Sequence, residues 1–428
     1  MTAFHLVTLG CKVNQCEAEA LAQAWEERGF RRTDDPAEAE TALVSLCAVT
    51  ARAVRDGRQI VRRMGREFPN CKLVVTGCAA ETFPEEFRDL PGVVRVVGQK
   101  SKAELADGPE DRVALNDRQA WLPLHTYHRA RAVLRVQDGC SHGCSFCIVP
   151  RTRGESRSRP PAEVLAEARR LLDAGFHELV VSGINLSHYG RGGGFGDFWD
   201  LMELLETELA DAWAGKARLR LSSLEPGQLD GKALRYLASS KLACPHLHLS
   251  LQSGSPLVLA RMRRAHYHPD EIIDFCAELA QAWPVFGLGA DLLVGFPGET
   301  QSEFERTMAL AERLPLTYAH VFPYSRRPGT IAAGMEATAT PSEAKSRAKA
   351  LRRLTEAKRK AFLERCATLD RVDIIVQDEE GRGVSEHYAS CRLQSGFRSA
   401  AARSLVRARP LGSSQGVLLA APIGEPVS

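Results

Sequence analysis

The chain has 428 residues, 44% hydrophobic and 25% charged, with a formal net charge of +3, which is the balance of a folded globular protein long enough for two or three domains. No run of about 18 uninterrupted apolar residues occurs, so no membrane-spanning helix is expected; the opening MTAFHLVTLGC reads as a strand rather than a secretory leader, and a cytoplasmic protein is expected. Twelve cysteines are many for a reducing compartment, where structural disulfides are disfavoured, and they point to metal or redox chemistry.

In chain order, residues 1–105 alternate strands and helices: FHLVTLG, the amphipathic EAEALAQAWEERGF, TALVSL, the basic helical run TARAVRDGRQIVRRMGREF, KLVVTG and VVRVVG. Such alternation implies a parallel, doubly wound sheet. A linker follows over about residues 101–131, with Pro109 and Pro123. A second βα series, within residues 126–364, runs through AVLRVQDGC, HELVVSGIN, ARLRLSSLEP, HLHLSLQSGS, VFGLGADLLVGFPGE and LTYAHVFPYS. Six such segments make a partial β/α barrel rather than a clear eight-fold one. A long basic helix spans Pro341 to Cys366, and residues 366–428 read as short strands with Gly-containing turns, a small all-β module.

Cys140, Cys144 and Cys147 form a C-x3-C-x2-C run after the first barrel strand, on the face where such barrels place their chemistry. Thiolates are the usual ligands of iron–sulfur clusters. Three of them on a 4Fe–4S cube leave one iron free to chelate the amino and carboxylate groups of S-adenosylmethionine (SAM); an electron passed to the sulfonium then gives a deoxyadenosyl radical, and the protein has mainly to position the parts. Gly139 and Gly143 suit a tightly wound loop. The alternatives are unrelated buried cysteines or zinc, but zinc wants a fourth ligand and the loop offers only His142. Cys11, Cys47 and Cys78 each follow a strand of the first series, and the carboxyl ends of parallel strands share one edge. Three distant thiols could converge there, or be three ordinary buried cysteines; spacing leaves both open. Of the others, Cys276 and Cys391 read as core, and Cys16 and Cys71 as bystanders.

Glu225 and Gln252 lie at strand ends facing the presumed site and are candidates for SAM contacts, as are Ser182, Gly183 and Asn185. Gly295, opening GFPGE, would let backbone approach a ligand, or form a plain strand–helix turn. The basic helix (Lys345, Arg347, Lys349, Arg352, Arg353, Lys358, Arg359, Lys360, Arg365) and the cluster Arg151, Arg153, Arg157 and Arg159 would suit a phosphate-rich substrate, unless they are simply solvated.

These residues resemble the methylthiotransferases, a branch of the radical-SAM superfamily, over nearly the whole chain. The resemblance rests on TLGCKVNQCEAEAL, LCAVT and VTGCAAE, then on QDGCSHGCSFCIVPRTRGESRSR, LSSLEP, HLHLSLQSGSPLVLARMRR, DLLVGFPGET and HVFPYSRRPGT. It implies an α/β protein with an N-terminal doubly wound parallel sheet, a central partial β/α radical-SAM barrel and a small C-terminal all-β TRAM-like domain that binds RNA. It also implies two 4Fe–4S clusters, an auxiliary one on Cys11, Cys47 and Cys78 and a SAM-activating one on Cys140, Cys144 and Cys147. In such enzymes one SAM supplies a methyl group to sulfur at the auxiliary cluster and a second gives the radical. LGCKVNQ is similar to the MtaB branch, which acts at C2 of N6-threonylcarbamoyladenosine beside the tRNA anticodon. The alternatives are the branches acting on isopentenyladenosine, which read closer to GCQMN, and on a ribosomal-protein aspartate, closer to GCPKN. Implied partners are the tRNA anticodon stem-loop, an electron donor such as flavodoxin or ferredoxin, and a sulfur source. The sequence departs from the family at Ser45-Leu46-Cys47, where relatives often read NTC, and at Cys16, often an aromatic. A non-catalytic RNA-binding protein with structural zinc is the reading from a different class.

Overall fold

A computed structural model describes residues 2–109, 121–125, 127–394 and 401–427. Of the expected linker, residues 110–120 and Thr126 lie outside the described residues. The chain divides into two compact units, one of residues 1–128, 138–156 and 325–333, the other of residues 129–137, 157–324 and 334–428.

In the first unit, β1 (Ala3–Thr8), α1 (Lys12–Glu27), β2 (Arg31–Arg32), β3 (Thr41–Leu46), α2 (Ala51–Glu67), β4 (Lys72–Gly77), α3 (Cys78–Thr82), α4 (Glu85–Arg88) and β5 (Val93–Gly98) follow one another. The strands form a parallel sheet in the order β2-β1-β3-β4-β5. The two-residue β2 is too short to have announced itself in the sequence. Alternation along β3 sends side chains to both faces. Val44 and Leu46 join Leu73, Val75 and, from α2, Val54, Val61 and Met64 in one apolar cluster. Leu43 joins Phe4, Val74 and, from α1, Leu21 and Trp25 in the other. Every residue of β3 is buried, as a strand covered by helices on both faces must be. Trp25 stands edge-on to Phe4 at 5.1 Å, and its Nε1 donates to the Leu105 carbonyl at 2.5 Å.

The second series opens with β6 (Ala132–Arg135). The cysteine loop is flanked by β7 (Gln137–Asp138), α5 (Val149–Arg153) and β8 (Arg157–Ser158). Then come α6 (Pro161–Asp173), β9 (Glu178–Ser182), α7 (Phe198–Trp213), β10 (Arg218–Leu221), β11 (Ser223–Leu224), α8 (Gly231–Ser239), β12 (His246–Gln252), α9 (Pro256–Arg261), α10 (Pro269–Ala282), β13 (Gly287–Val294), α11 (Gln301–Arg313) and β14 (Tyr318–Pro323). All six expected segments are parallel strands, the third interrupted at Ser222; they form sheets β10-β9-β6 and β11-β12-β13-β14. This is the partial barrel that the segment count implied.

The long helix α12 (Pro341–Cys366) starts on a capping box, Thr340 accepting from the Glu343 amide and Glu343 accepting from the Thr340 amide. After it, β15 (Val372–Val376), β16 (Arg382–Ser385), β17 (Ser390–Leu393), β18 (Leu405–Ser414) and β19 (Val417–Pro422) close a small barrel in the order β15-β16-β17-β19-β18. Sequence patterning indicates four of these strands; β16, RGVS, carries no hydrophobic alternation. Phe362, Leu363 and Cys366 at the end of α12 share a core with Val372, Ile374, Cys391 and Leu418, so helix and barrel fold as one piece. Arg218 and Arg220, buried on β10, straddle Glu178 of β9 with Nε–Oε distances of 2.6 and 2.7 Å. Their remaining N–H groups donate to the carbonyls of Asp373, Val384, Ser385 and Glu386. The small barrel is thereby fastened to the start of β10 by charge-assisted hydrogen bonds. Among the described residues no helix is long and apolar enough to cross a membrane.

Candidate functional site

Strand register brings the first cysteine set to one edge. Thr8 pairs with Ser45 and Leu46 with Gly77, so Cys47 and Cys78 directly follow paired residues and Cys11 lies three residues past the end of β1, after Leu9 and Gly10. Two glycines make the approach possible. At Gly10 (φ +134°) a Cβ would stand 3.2 Å from Cys47 Cβ, and at Gly77 (φ +95°) 2.6 Å from the Leu46 carbonyl oxygen. The three sulfurs share one electrostatic environment. Burial pushes the Cys47 thiol up to about 11; the Val49 amide, 3.5 Å from Sγ, works against that, and negative charge on Cys11 and Cys78 adds to it. Burial likewise raises Cys78, with Arg153 opposing and Cys11 adding to the effect. Three clustered thiols that repel one another as thiolates, next to a fixed cation, are a donor set suited to iron.

That cation belongs to a buried charge group that the sequence does not announce. Arg153, from α5, gives Nη1 to Glu17 Oε1 at 3.0 Å and to Asp138 Oδ1 at 2.8 Å, and Nη2 to Glu17 Oε2 at 3.1 Å. Lys102 Nζ reaches Glu17 at 3.2 Å and both Asn14 Oδ1 and Ser45 Oγ at 3.0 Å. Asn14 of the KVNQ motif also donates to the Leu9 carbonyl at 2.8 Å and accepts from Ser45 Oγ at 2.9 Å. The unusual Ser45 thus has a defined place, bonded to the residues that position the loop of Cys11. Two cations and two carboxylates balance in a site from which water is excluded. Arg153 is 3% exposed and therefore is not part of a phosphate-binding surface. Arg159, also buried, pairs with Glu167 at 2.9 Å and leaves that surface as well. In both cases folding brings carboxylates to the arginine, Glu17 from the distant α1 and Asp138 to Arg153, and Glu167 from the following helix α6 to Arg159.

The second cysteine set lies on a single loop in the same compact unit as the first. Cys140, Cys144 and Cys147 are all partly accessible. The loop is closed on residues 154–156: the Cys140 amide donates to the Gly154 carbonyl at 3.1 Å, and Ser141 and Ser156 exchange amide-to-hydroxyl bonds at 3.0 and 3.1 Å. At Gly139 (φ +68°) a Cβ would lie 1.9 Å from the Glu155 oxygen, so only glycine permits this closure. The Cys147 amide bonds the Cys144 carbonyl at 3.1 Å, making a tight turn between those two.

The remaining candidates are placed as follows. Glu225 is committed to Arg264 (Nη1–Oε1 3.1 Å) and to His266 at 3.4 Å; burial would raise its carboxyl, but these partners hold it at about 2. Gln252 stands at φ +62° where the β12–β13 register slips, a strained position for a residue with a side chain. Gly183 lies against Gln137, where a Cβ would be 2.9 Å from Gln137 Cβ, and Gln137 accepts the Asn185 amide at 2.7 Å. Gly295 (φ +69°) gives its amide to Glu299 at 2.6 Å, and Glu299 holds Arg347 of α12 at 2.7 Å, so this turn clasps the basic helix. Arg347 is consequently buried, and Arg352 and Lys358 donate to carbonyls of β14 and of the α11 end. Lys345, Lys349, Arg353, Lys360 and Arg365 stay exposed. A groove of about 470 Å³ beside them is lined by Arg353, Arg359 and Lys360 of α12 and by Ser413–Gly416 at the β18–β19 turn.

Residues 134–311 match the Radical SAM superfamily and residues 3–98 the uncharacterized protein family UPF0004. The chain is 38% identical over 347 residues to the threonylcarbamoyladenosine tRNA methylthiotransferase MtaB of Bacillus subtilis, covering 78% of this chain and 75% of that one. It is 31% identical to the MtaB of Aquifex aeolicus, over 90% of this chain and 95% of that one. It is also 33% identical to the tRNA-2-methylthio-N(6)-dimethylallyladenosine synthase of Agrobacterium fabrum, over 83% of each. In fold it is similar to the radical S-adenosylmethionine methyltransferase TsrM of Kitasatospora setae, solved with cobalamin and a 4Fe–4S cluster bound, at a TM-score of 0.56 and 14% identity, covering 78% of this chain and 74% of that one. With relatives of this identity matched over most of their length, the chain belongs to the MtaB-type tRNA methylthiotransferases of the radical SAM superfamily.

Proposed function

We propose that the protein inserts sulfur and a methyl group at C2 of N6-threonylcarbamoyladenosine, next to the tRNA anticodon, with Cys140, Cys144 and Cys147 holding a SAM-activating 4Fe–4S cluster and Cys11, Cys47 and Cys78 an auxiliary one. The observation that carries the reading is the gathering of three sequence-distant thiols at one sheet edge beside the buried Arg153, in the unit that also contains the second cysteine loop. The KVNQ motif and the names of the MtaB relatives support the choice of nucleoside.

Bound there, the clusters supply the electron that cleaves SAM and the place where sulfur is methylated. The chain's own contribution is positional and electrostatic. Arg153 beside Cys47 and Cys78, and Lys102 beside Cys78, oppose the rise that burial imposes on these thiols and so favour the thiolates that iron binds. Glu17 and Asp138 hold that charge in place, and the glycines at 10, 77 and 139 let backbone close around both sets. The exposed cations of α12 serve the tRNA phosphates, a sequence-independent and salt-sensitive attraction. A flavodoxin- or ferredoxin-type donor and a sulfur source complete the reaction.

The test is anaerobic reconstitution with iron and sulfide, then assay with SAM, a reductant and tRNA bearing either nucleoside. We expect the methylthio derivative of threonylcarbamoyladenosine by mass spectrometry, with S-adenosylhomocysteine and 5′-deoxyadenosine released in equal amounts. Methylthiolation of isopentenyladenosine instead would reassign the substrate, and 5′-deoxyadenosine without any methylthio product would refute the proposed reaction.

A further inference from the structure

The sheet β11-β12-β13-β14 carries a second group of ligand-type side chains, and none of them is a cysteine. The registers His248↔Gly289, Gly289↔Tyr318 and Asp291↔His320 set the side chains of His246, His248, Asp291, Tyr318 and His320 on one face. A chain of polar contacts links them. His246 Nε2 meets Tyr318 Oη at 2.9 Å, Tyr318 Oη meets His248 Nδ1 at 3.0 Å, and His248 Nε2 lies 3.1 Å from Asp291 Oδ1. His320 Nδ1 approaches the same carboxylate oxygen, also at 3.1 Å.

Two imidazoles aimed at one carboxylate are more than a hydrogen-bonded pair. The ligand atoms of His248, Asp291 and His320 all lie within 4.8 Å of one another. Donors that surround a first-row divalent ion at 2.0–2.2 Å stand roughly 3 Å apart, so each ring nitrogen already has that spacing from the carboxylate oxygen. Two histidines and a carboxylate suit zinc, iron(II) and manganese(II). The outer shell is built as well: the Tyr318 hydroxyl on His248 Nδ1 fixes the ring so that Nε2 faces the site, which is how metal-binding histidines are oriented. At Gly289 a Cβ would lie 2.4 Å from His248 Nδ1 and 2.2 Å from Tyr318 Cζ, so the rings can close only over glycine. His248 is buried and His320 exposed, so one side of the group opens outward.

We propose that His248, Asp291 and His320 bind one divalent transition-metal ion, leaving coordination positions open to water or to an oxygen donor such as a carboxylate. The site is independent of the cysteine sets and of the methylthiolation reading. The test uses the full-length chain purified anaerobically, freed of loosely bound metal by chelator and desalting. Manganese(II) is titrated in, the free ion is read by its EPR signal, and zinc(II) is then added as competitor. We expect one saturable manganese site per chain, displaced by zinc, with Kd weakened at least about tenfold in Asp291→Asn and in His320→Ala, while iron and sulfide content and circular dichroism stay unchanged. His320 is exposed, so its replacement leaves the fold intact. Absence of saturable binding, or equal binding by wild type and both variants, would overturn the site and leave a triad joined by protons alone.

Discussion

Arg153 is the residue on which the cysteine edge most depends. Its guanidinium joins Glu17, six positions past Cys11, to Asp138, two positions before Cys140. Removing one member of a buried ionic group costs far more than the group contributes, because the partners stay buried and uncompensated. Arg153→Gln is therefore expected to lose on the order of 3–5 kcal/mol in chemical denaturation, and Arg153→Lys to recover part of the loss. The cysteines separate by role. Cys140→Ala is expected to abolish 5′-deoxyadenosine formation. Cys47→Ala should retain it yet yield no methylthiolated nucleoside; product from the Cys47 variant would remove the auxiliary site from the mechanism. At this scale the thiols are legible because cysteine spacing and strand ends are visible in the chain. Glu17, Lys102 and Asp138 are not, since each looks like any other charge until folding brings them together. Arg153 and Arg159 even point the wrong way, reading as surface charge in a run of arginines.

The elements are easier to read than their partners. RLRL announces β10, but an alternating polar face ordinarily meets solvent, and here Arg218 and Arg220 are buried under the C-terminal barrel. Nothing in the sequence says which segment supplies the covering carbonyls. Burial together with Arg218 and Arg220 lowers His387 in that junction from 6.5 to about 4. The unfolded chain takes up this proton as pH falls through about 6.5 while the folded chain does not, so the stabilisation is complete above 6.5 and is lost on descending to about 4. The loss amounts to at most about 3 kcal/mol. Neighbouring Glu386, raised by burial to about 7, works the other way: its contribution is present below about 4.5 and disappears as pH rises through 7. The His387→Gln variant should accordingly lose less unfolding free energy than wild type between pH 6.5 and 4, Glu386 being common to both. Helix α12 is legible in its length and its sign, yet Arg347, Arg352 and Lys358 serve to dock it. Replacing exposed Lys349, Arg353 and Lys360 with Gln should weaken tRNA binding and reduce the salt slope by about 0.7–0.9 for each phosphate that is no longer neutralised. An unchanged slope would move the RNA surface elsewhere.

Across the whole molecule, residues 138–156 group with residues 1–128 although the strands before and after them belong to the other unit. Chain order suggests nothing of the kind; pairing of Arg153 with Glu17 gives it a physical basis. The parallel sheet, the six barrel strands and the β tail follow from periodicity, whereas β16 has no hydrophobic alternation and the two-residue β2 is too short to show a period. The most direct test of two separate cysteine-held clusters is the iron and acid-labile sulfide bound per chain after anaerobic reconstitution, compared among wild type and the two triple Cys→Ala variants, one at positions 11, 47 and 78, the other at 140, 144 and 147. Wild type should hold about eight irons with as many sulfides, and each triple variant about four. A wild type that saturates at about four irons, or a triple variant that keeps the wild-type count, would contradict it.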